Sequence, residues 1–121
     1  MQNEIEKNPL YYILTPSEEK IDSVVSPALK ADLVTFDVEG AKNLIIDLKN
    51  VKFMDSSGIS AILVGNRTFK DKNSSFIICN INDHINKILK ISKLDTVLDI
   101  LPSLQEAVDS IQLDEIERGM L

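Results

Sequence analysis

Residues 43–70 read "NLIIDLKNVKFMDSSGISAILVGNRTFK". The first six form a short segment rich in β-branched side chains and bounded by polar residues, the signature of a strand. From Gly58 onward Ile59, Ile62, Leu63 and Phe69 recur at helical spacing, and Arg67, Lys70 and Lys72 fall near the negative end of the helix expected over 57–70. Between strand and helix stands "DSSG", residues 55–58. Ser57 can accept a backbone N–H of the first helical turn and so serve as the cap, and Asp55 suits the same electrostatic role. Gly58 allows a tight turn or the close approach of another backbone. One cap does not need two serines. If Ser57 caps the helix, Ser56 projects from a loop held between two rigid elements, a placement that suits a modifiable hydroxyl.

The same punctuation extends to both sides. "LYYIL" (10–14), "SFIIC" (75–79) and "TVLDIL" (96–101) read as further strands, and Lys20–Ile21 reads as a short extended piece forming an edge hairpin with the first of them. Ser26 and Pro27 open a helix as cap and first residue, Leu29, Leu33 and Phe36 give it an apolar stripe, and Gly40 stops it. A third helix fits 82–91, with Asn82 or Asp83 as cap and Ile85, Ile88 and Leu89 facing inward. A fourth starts at Ser103, where Glu106 completes capping-box spacing. The order β(β)αβαβαβα defines an α/β fold: one domain with a mainly parallel, mixed sheet of four to five strands and about four helices, any antiparallel pairing lying at the N-terminal edge. Ligands and partners of such sheets gather at the carboxyl ends of the strands, where "DSSG" lies.

A chain of 121 residues with 44% hydrophobic content suits one domain, taken as 1–121 with a core of about 8–111 and an acidic extension over 112–121. Thirteen basic against 19 acidic residues give a net charge of −6, which argues against nucleic acid and anionic membrane surfaces as partners. The single cysteine, Cys79, sits in an apolar run and reads as a small buried hydrophobe. The N-terminus lacks a basic start followed by an apolar core, and no apolar run reaches the roughly 18 residues of a membrane span, so the expected location is cytoplasmic, without membrane insertion.

Catalysis finds little support. Serine hydrolysis needs a base, and the only histidine, His84, lies in the polar cap "NINDHIN" of the third helix. The Gly-x-Ser-x-Gly elbow is absent around Ser56. No His or Cys cluster has ligand spacing, and no glycine-rich phosphate loop occurs. The reading is a non-enzyme with no catalytic residues, no metal and no cofactor.

Residues 43–70 resemble the signature region of STAS domains, specifically the anti-sigma factor antagonists, in which a strand leads through a phenylalanine, methionine, aspartate, two hydroxyl residues and a glycine into a helix. "EEKIDSVVSPALKADL" and "NINDHINKILKISKLDTVLDI" are similar to two further segments of that family, so the resemblance runs from about residue 8 to 111. It implies a regulator that binds an anti-sigma factor serine kinase and displaces the sigma factor. Phosphorylation of a loop serine by that kinase ends the interaction, and a PP2C-type phosphatase restores it. By position the phosphoacceptor is Ser56, with Ser57 as the alternative. Asp22, Ser23, Asp55, Ser57, Gly58 and Ile59 are the implied partner-binding residues. Glu19 and Lys20 replace the family's Gly and Glu before Asp22, changing turn flexibility and charge in the recognition loop. Lys93 replaces a common glycine, which alters a local cap. The tail beyond 111 reads as a solvated helical extension. The alternative function is a non-catalytic accessory subunit of a membrane transporter or signalling assembly.

Overall fold

The structure, a computed structural model, describes residues 3–119. Its elements are β1 (Asn3–Lys7), β2 (Tyr12–Pro16), β3 (Lys20–Ile21), α1 (Ser26–Val38), β4 (Leu44–Asp47), β5 (Phe53–Met54), α2 (Ser56–Asp71), β6 (Phe76–Cys79), α3 (Asp83–Ile91), β7 (Asp99–Leu101) and α4 (Leu104–Glu117). Five strands form one mixed sheet in the order β1-β2-β4-β6-β7, antiparallel at β1–β2 and parallel elsewhere. The α/β class, the five-stranded mixed sheet and the four helices follow the expectation from sequence. No helix of the described residues is long and apolar enough to cross a membrane.

Strand alternation sorts the core into two layers. Leu14, Leu44, Ile46, Phe76 and Ile78 face α1, α2 and α3 through Leu29, Leu33, Phe36, Ile62, Phe69, Ile85 and Leu89. Ile13, Ile45, Ile77 and Cys79 face the opposite way, onto Ala107 and Ile111 of α4. Both faces of β4 and β6 are therefore covered, which is why "FIIC" is wholly apolar and "LIID" is apolar up to Asp47.

Three expectations about strands need correction. The antiparallel edge strand is β1, whose "NEIEK" is mostly exposed. Lys20–Ile21 does not form a hairpin with β2. It pairs in parallel with β5 as a separate two-stranded sheet, Lys20 opposite Phe53 and Ile21 opposite Met54. The last strand begins at Asp99 rather than at 96, because a single turn of 3₁₀ helix occupies Leu94–Thr96, entered from Lys93 in the left-handed region at φ 61°.

The helix ends show the caps at atomic detail. Asn82 accepts from Ile85 N–H at 2.9 Å and Ser103 from Glu106 N–H at 3.2 Å, as their spacing predicts. Gly40 ends α1 at φ +86°, a conformation that costs glycine nothing. Ser26 is not a cap: it is the first helical residue, its N–H donating to the Asp22 carbonyl at 2.8 Å. The segment 112–119 is mostly exposed. α4 continues through it to Glu117, and Glu115 is only 3% exposed, accepting from Asn43 Nδ2 at 2.8 Å and from Arg118 at 3.1 Å. The contact pins the end of α4 beneath the amino ends of β4 and β6.

Candidate functional site

β3 and β5 lie side by side at the carboxyl end of the sheet, and the loops leaving them start α1 and α2. Their pairing brings Asp22–Ser26 and Asp55–Gly58 together. Asp55 N–H donates to Ile21 O at 3.3 Å, and α2 then packs so close to β3 that a Cβ on Gly58 would lie 2.5 Å from Ile21 O and 2.6 Å from Met54 Cγ. No side chain fits there. Gly58 is buried, and its role is to let the start of α2 press on β3.

The cap of α2 is Asp55, not Ser57. Asp55 Oδ1 accepts from Ser57 N–H at 2.9 Å and from Gly58 N–H at 3.1 Å, which makes Ser56 and Ser57 the first two helical residues. Ser57 donates its hydroxyl to the same oxygen at 2.6 Å. These donors, the Ser57 hydroxyl first, hold the Asp55 carboxyl below its ordinary value of 3.8. A carboxylate outcompetes a hydroxyl for the N–H groups at the positive end of a helix, so the register of the cap moves back from Ser57 by two residues.

Ser57 is tied to Asp55 on one side and lies against Ser26 on the other. The half-buried hydroxyl faces Ser26 Oγ at 3.2 Å, and Ser26 Oγ in turn donates to the Asp22 carbonyl at 2.6 Å. The buried Ser26, which residue patterns mark only as a helix start, is thus a member of the site. Asp22 organises the facing loop, its Oδ1 accepting from Val24 N–H at 3.0 Å and Val25 N–H at 3.2 Å. Ser23 is exposed beside it, and Ile59 is half-buried, leaning on the core. Ser56 stands apart from this network: exposed, at the first position of α2, its hydroxyl engages no group of the described residues. His84 is exposed and sets its ring edge-on to Phe53 at 5.3 Å, with no hydrogen bond to either serine. Among the described residues no side chain accepts from the Ser56 hydroxyl.

The sequence profile of the STAS domain matches residues 2–107. The chain belongs to the STAS domain family. Among curated relatives of this STAS domain, an "Anti-sigma F factor antagonist" of Paenibacillus polymyxa is 26% identical over 72 residues, 60% of this chain and 62% of its own. An "Anti-sigma-B factor antagonist" of Bacillus subtilis is 30% identical over 81 residues, 67% of this chain and 73% of its own. The aligned region thus spans less than two thirds of the first relative and somewhat more of the second. Among solved structures, an anti-sigma factor antagonist from Mycobacterium paratuberculosis superposes with a TM-score of 0.80 at 21% identity, covering 92% of this chain and 93% of its own. At that identity the likeness speaks for the fold of the STAS domain, while the site rests on its own geometry.

Proposed function

We propose that this STAS domain is an anti-sigma factor antagonist: it binds an anti-sigma factor serine kinase, frees the sigma factor, and is switched off when that kinase phosphorylates Ser56. The observation that carries this reading is the contrast between the two serines. Ser57 is held by Asp55, whereas Ser56 is exposed and unengaged at the start of a helix. A kinase must draw the acceptor hydroxyl into its own active site, and only Ser56 can enter without dismantling the cap. The names of the relatives support the regulatory role.

The chain is then a substrate and binding module without chemistry of its own, working in the cytoplasm with a PP2C-type phosphatase that removes the phosphate. Asp22, Ser23, Asp55, Ser57 and Ile59 frame the surface around Ser56, and Gly58 fixes its height. Phosphorylation adds a charge of about −1.5 to −2 beside the Asp55 carboxylate. A hundredfold loss of affinity requires about 2.7 kcal/mol, which repulsion and desolvation at an interface can supply.

Pull-downs from the source cell with wild-type, Ser56→Ala and Ser56→Asp proteins test the reading. The wild-type and alanine proteins recover a kinase and the aspartate protein does not. Mass spectrometry after incubation with that kinase and ATP places the phosphate on Ser56. Recovery of transporter subunits by all three proteins, or phosphate on Ser57 alone, would overturn it.

A further inference from the structure

Next to Ser56 the β3–β5 pair leaves an open groove of about 290 Å³, lined by Lys20, Ile21, Asp22, Phe53, Met54 and Asp55. Its wall is apolar where a two-stranded sheet would be expected to be polar. Phe53 is 49% exposed with its ring turned outward, flanked by His84 at 5.3 Å and by the Lys20 ammonium at 5.9 Å from the ring centroid. Val24, 83% exposed, stands on the loop that leaves β3.

The charges around the groove are not equivalent. Asp22 and Asp55 each spend a carboxylate oxygen on two backbone N–H groups, and Glu19 pairs with Lys52 at 3.3 Å. Lys20 has no carboxylate partner among the described residues. Among the described residues Lys20 is thus a cation over an aromatic platform without a carboxylate partner, beside the hydroxyl offered for modification.

We propose that this groove selects the kinase: it accepts an apolar side chain of the partner protein with a carboxylate next to it, the side chain lying against Phe53 and Ile21 and the carboxylate meeting Lys20. This inference rests on the proposed function, since it assigns the partner's chemistry at the same surface. Aromatic side chains in partly desolvated pockets supply much of the binding energy of protein interfaces, and a charge at the rim sets the association rate and the choice of partner. Phe53 is then the anchor and Lys20 the specificity residue.

Binding of the cognate kinase to wild-type, Lys20→Glu and Phe53→Ala proteins is measured by calorimetry at low and moderate salt, together with KM and kcat for Ser56 phosphorylation. Thermal unfolding checks that each variant is folded; Lys20 is exposed, so its variant keeps the test open if Phe53→Ala does not fold. We expect Lys20→Glu to raise Kd and KM at least tenfold, most strongly at low salt, with kcat little changed. Phe53→Ala should raise both at least tenfold at either salt. A lysine in place of one acidic residue of the kinase should restore the binding of Lys20→Glu. Folded variants that bind and are phosphorylated with wild-type constants would overturn the groove's role and leave the Ser56 switch standing. A wild-type protein that the kinase neither binds nor phosphorylates would overturn both. A wild-type dimer dissociated by Phe53→Ala would give the groove to a second copy of this chain and also overturn the proposal.

Discussion

Gly58→Ala separates two forces that act in opposite directions at one atom. Gly58 is the third residue of α2, and helix propensity alone makes alanine there better by up to about 1 kcal/mol. Packing says the reverse. The new Cβ would sit 2.5 Å from Ile21 O, and ordinary contact begins at 3.4 Å, so the first turn of α2 must retreat by about 0.9 Å. That retreat strains the Asp55 N–H bond to Ile21 O, already 3.3 Å long, and pushes on Met54 Cγ from a distance of 2.6 Å. Overpacking of this kind costs about 1–3 kcal/mol and a lost backbone hydrogen bond about 1 kcal/mol more. After the propensity gain the variant should be destabilised by about 1–3 kcal/mol, a fall in Tm of roughly 4 °C per kcal/mol for a chain of this size. Calorimetric or circular-dichroism melting measures it, with Ser60→Ala, on the exposed face two residues on, as the control expected to be neutral or slightly stabilising. A Gly58→Ala protein melting at or above the wild-type temperature would refute the claim that close contact with β3 sets the height of Ser56.

Lys93→Gly should stabilise by about 0.5–1 kcal/mol, because φ 61° is costly for lysine and free for glycine, less the backbone entropy glycine loses on folding; urea denaturation reads it, and a loss of stability would contradict it. Asp55 has a carboxyl pKa lowered in the folded state, so its contribution is fully present above the ordinary value of 3.8 and drains away as pH falls through the lower native value. The stability gap between wild type and Asp55→Ala should therefore narrow on acidification below 3.8, and a gap of constant size across that range would count against the cap assignment. Cys79 is fully buried and its thiol is pushed up to about 12, by desolvation first and by the nearby Asp47 carboxylate second. A thiol reagent at neutral pH should modify it only as fast as the chain opens, tracking the denaturant dependence of unfolding, whereas rapid labelling of the native protein would show the core layer under α4 to be accessible.

Legibility in the sequence followed burial. β4 and β6 declare themselves because both faces are covered, leaving "LIID" and "FIIC" with almost no polar interruption. Ser103 is legible as the cap-forming residue directly before its helix, while residue type left the cap of α3 between Asn82 and Asp83, and the structure gives it to Asn82. β1 is hidden for the opposite reason: an edge strand protects itself with charge, so "NEIEK" looks like a tail. The cap of α2 was open to Asp55 or Ser57 by residue type, and what decides between them is tertiary, since the pairing of Phe53–Met54 with Lys20–Ile21 fixes where the helix can start. Glu115 looks like one more solvated acid in "QLDEIE", and its buried partner Asn43 lies 72 positions away. No local pattern encodes a contact of that span.

The same cap explains why a phosphate on Ser56 should act outward rather than inward. A phosphate at a helix N-terminus normally takes the free N–H groups of the first turn and stabilises the helix by about 0.3–1 kcal/mol or somewhat more. Here the Ser57 and Gly58 N–H groups already belong to Asp55, and Ile59 N–H donates to the Asp55 carbonyl at 3.0 Å. The phosphate meets a helix start whose donors are largely spent and a carboxylate next door, so it has little to gain by folding back onto the domain. It remains at the surface as added charge that a partner must desolvate. Backbone amide chemical shifts should therefore change only around Asp22–Ser26 and Asp55–Ile59 on phosphorylation while affinity for the kinase falls about a hundredfold. Shifts spreading through β4, β6 and α4 would mean that the phosphate displaces Asp55 from the cap and that the switch works by remodelling the fold.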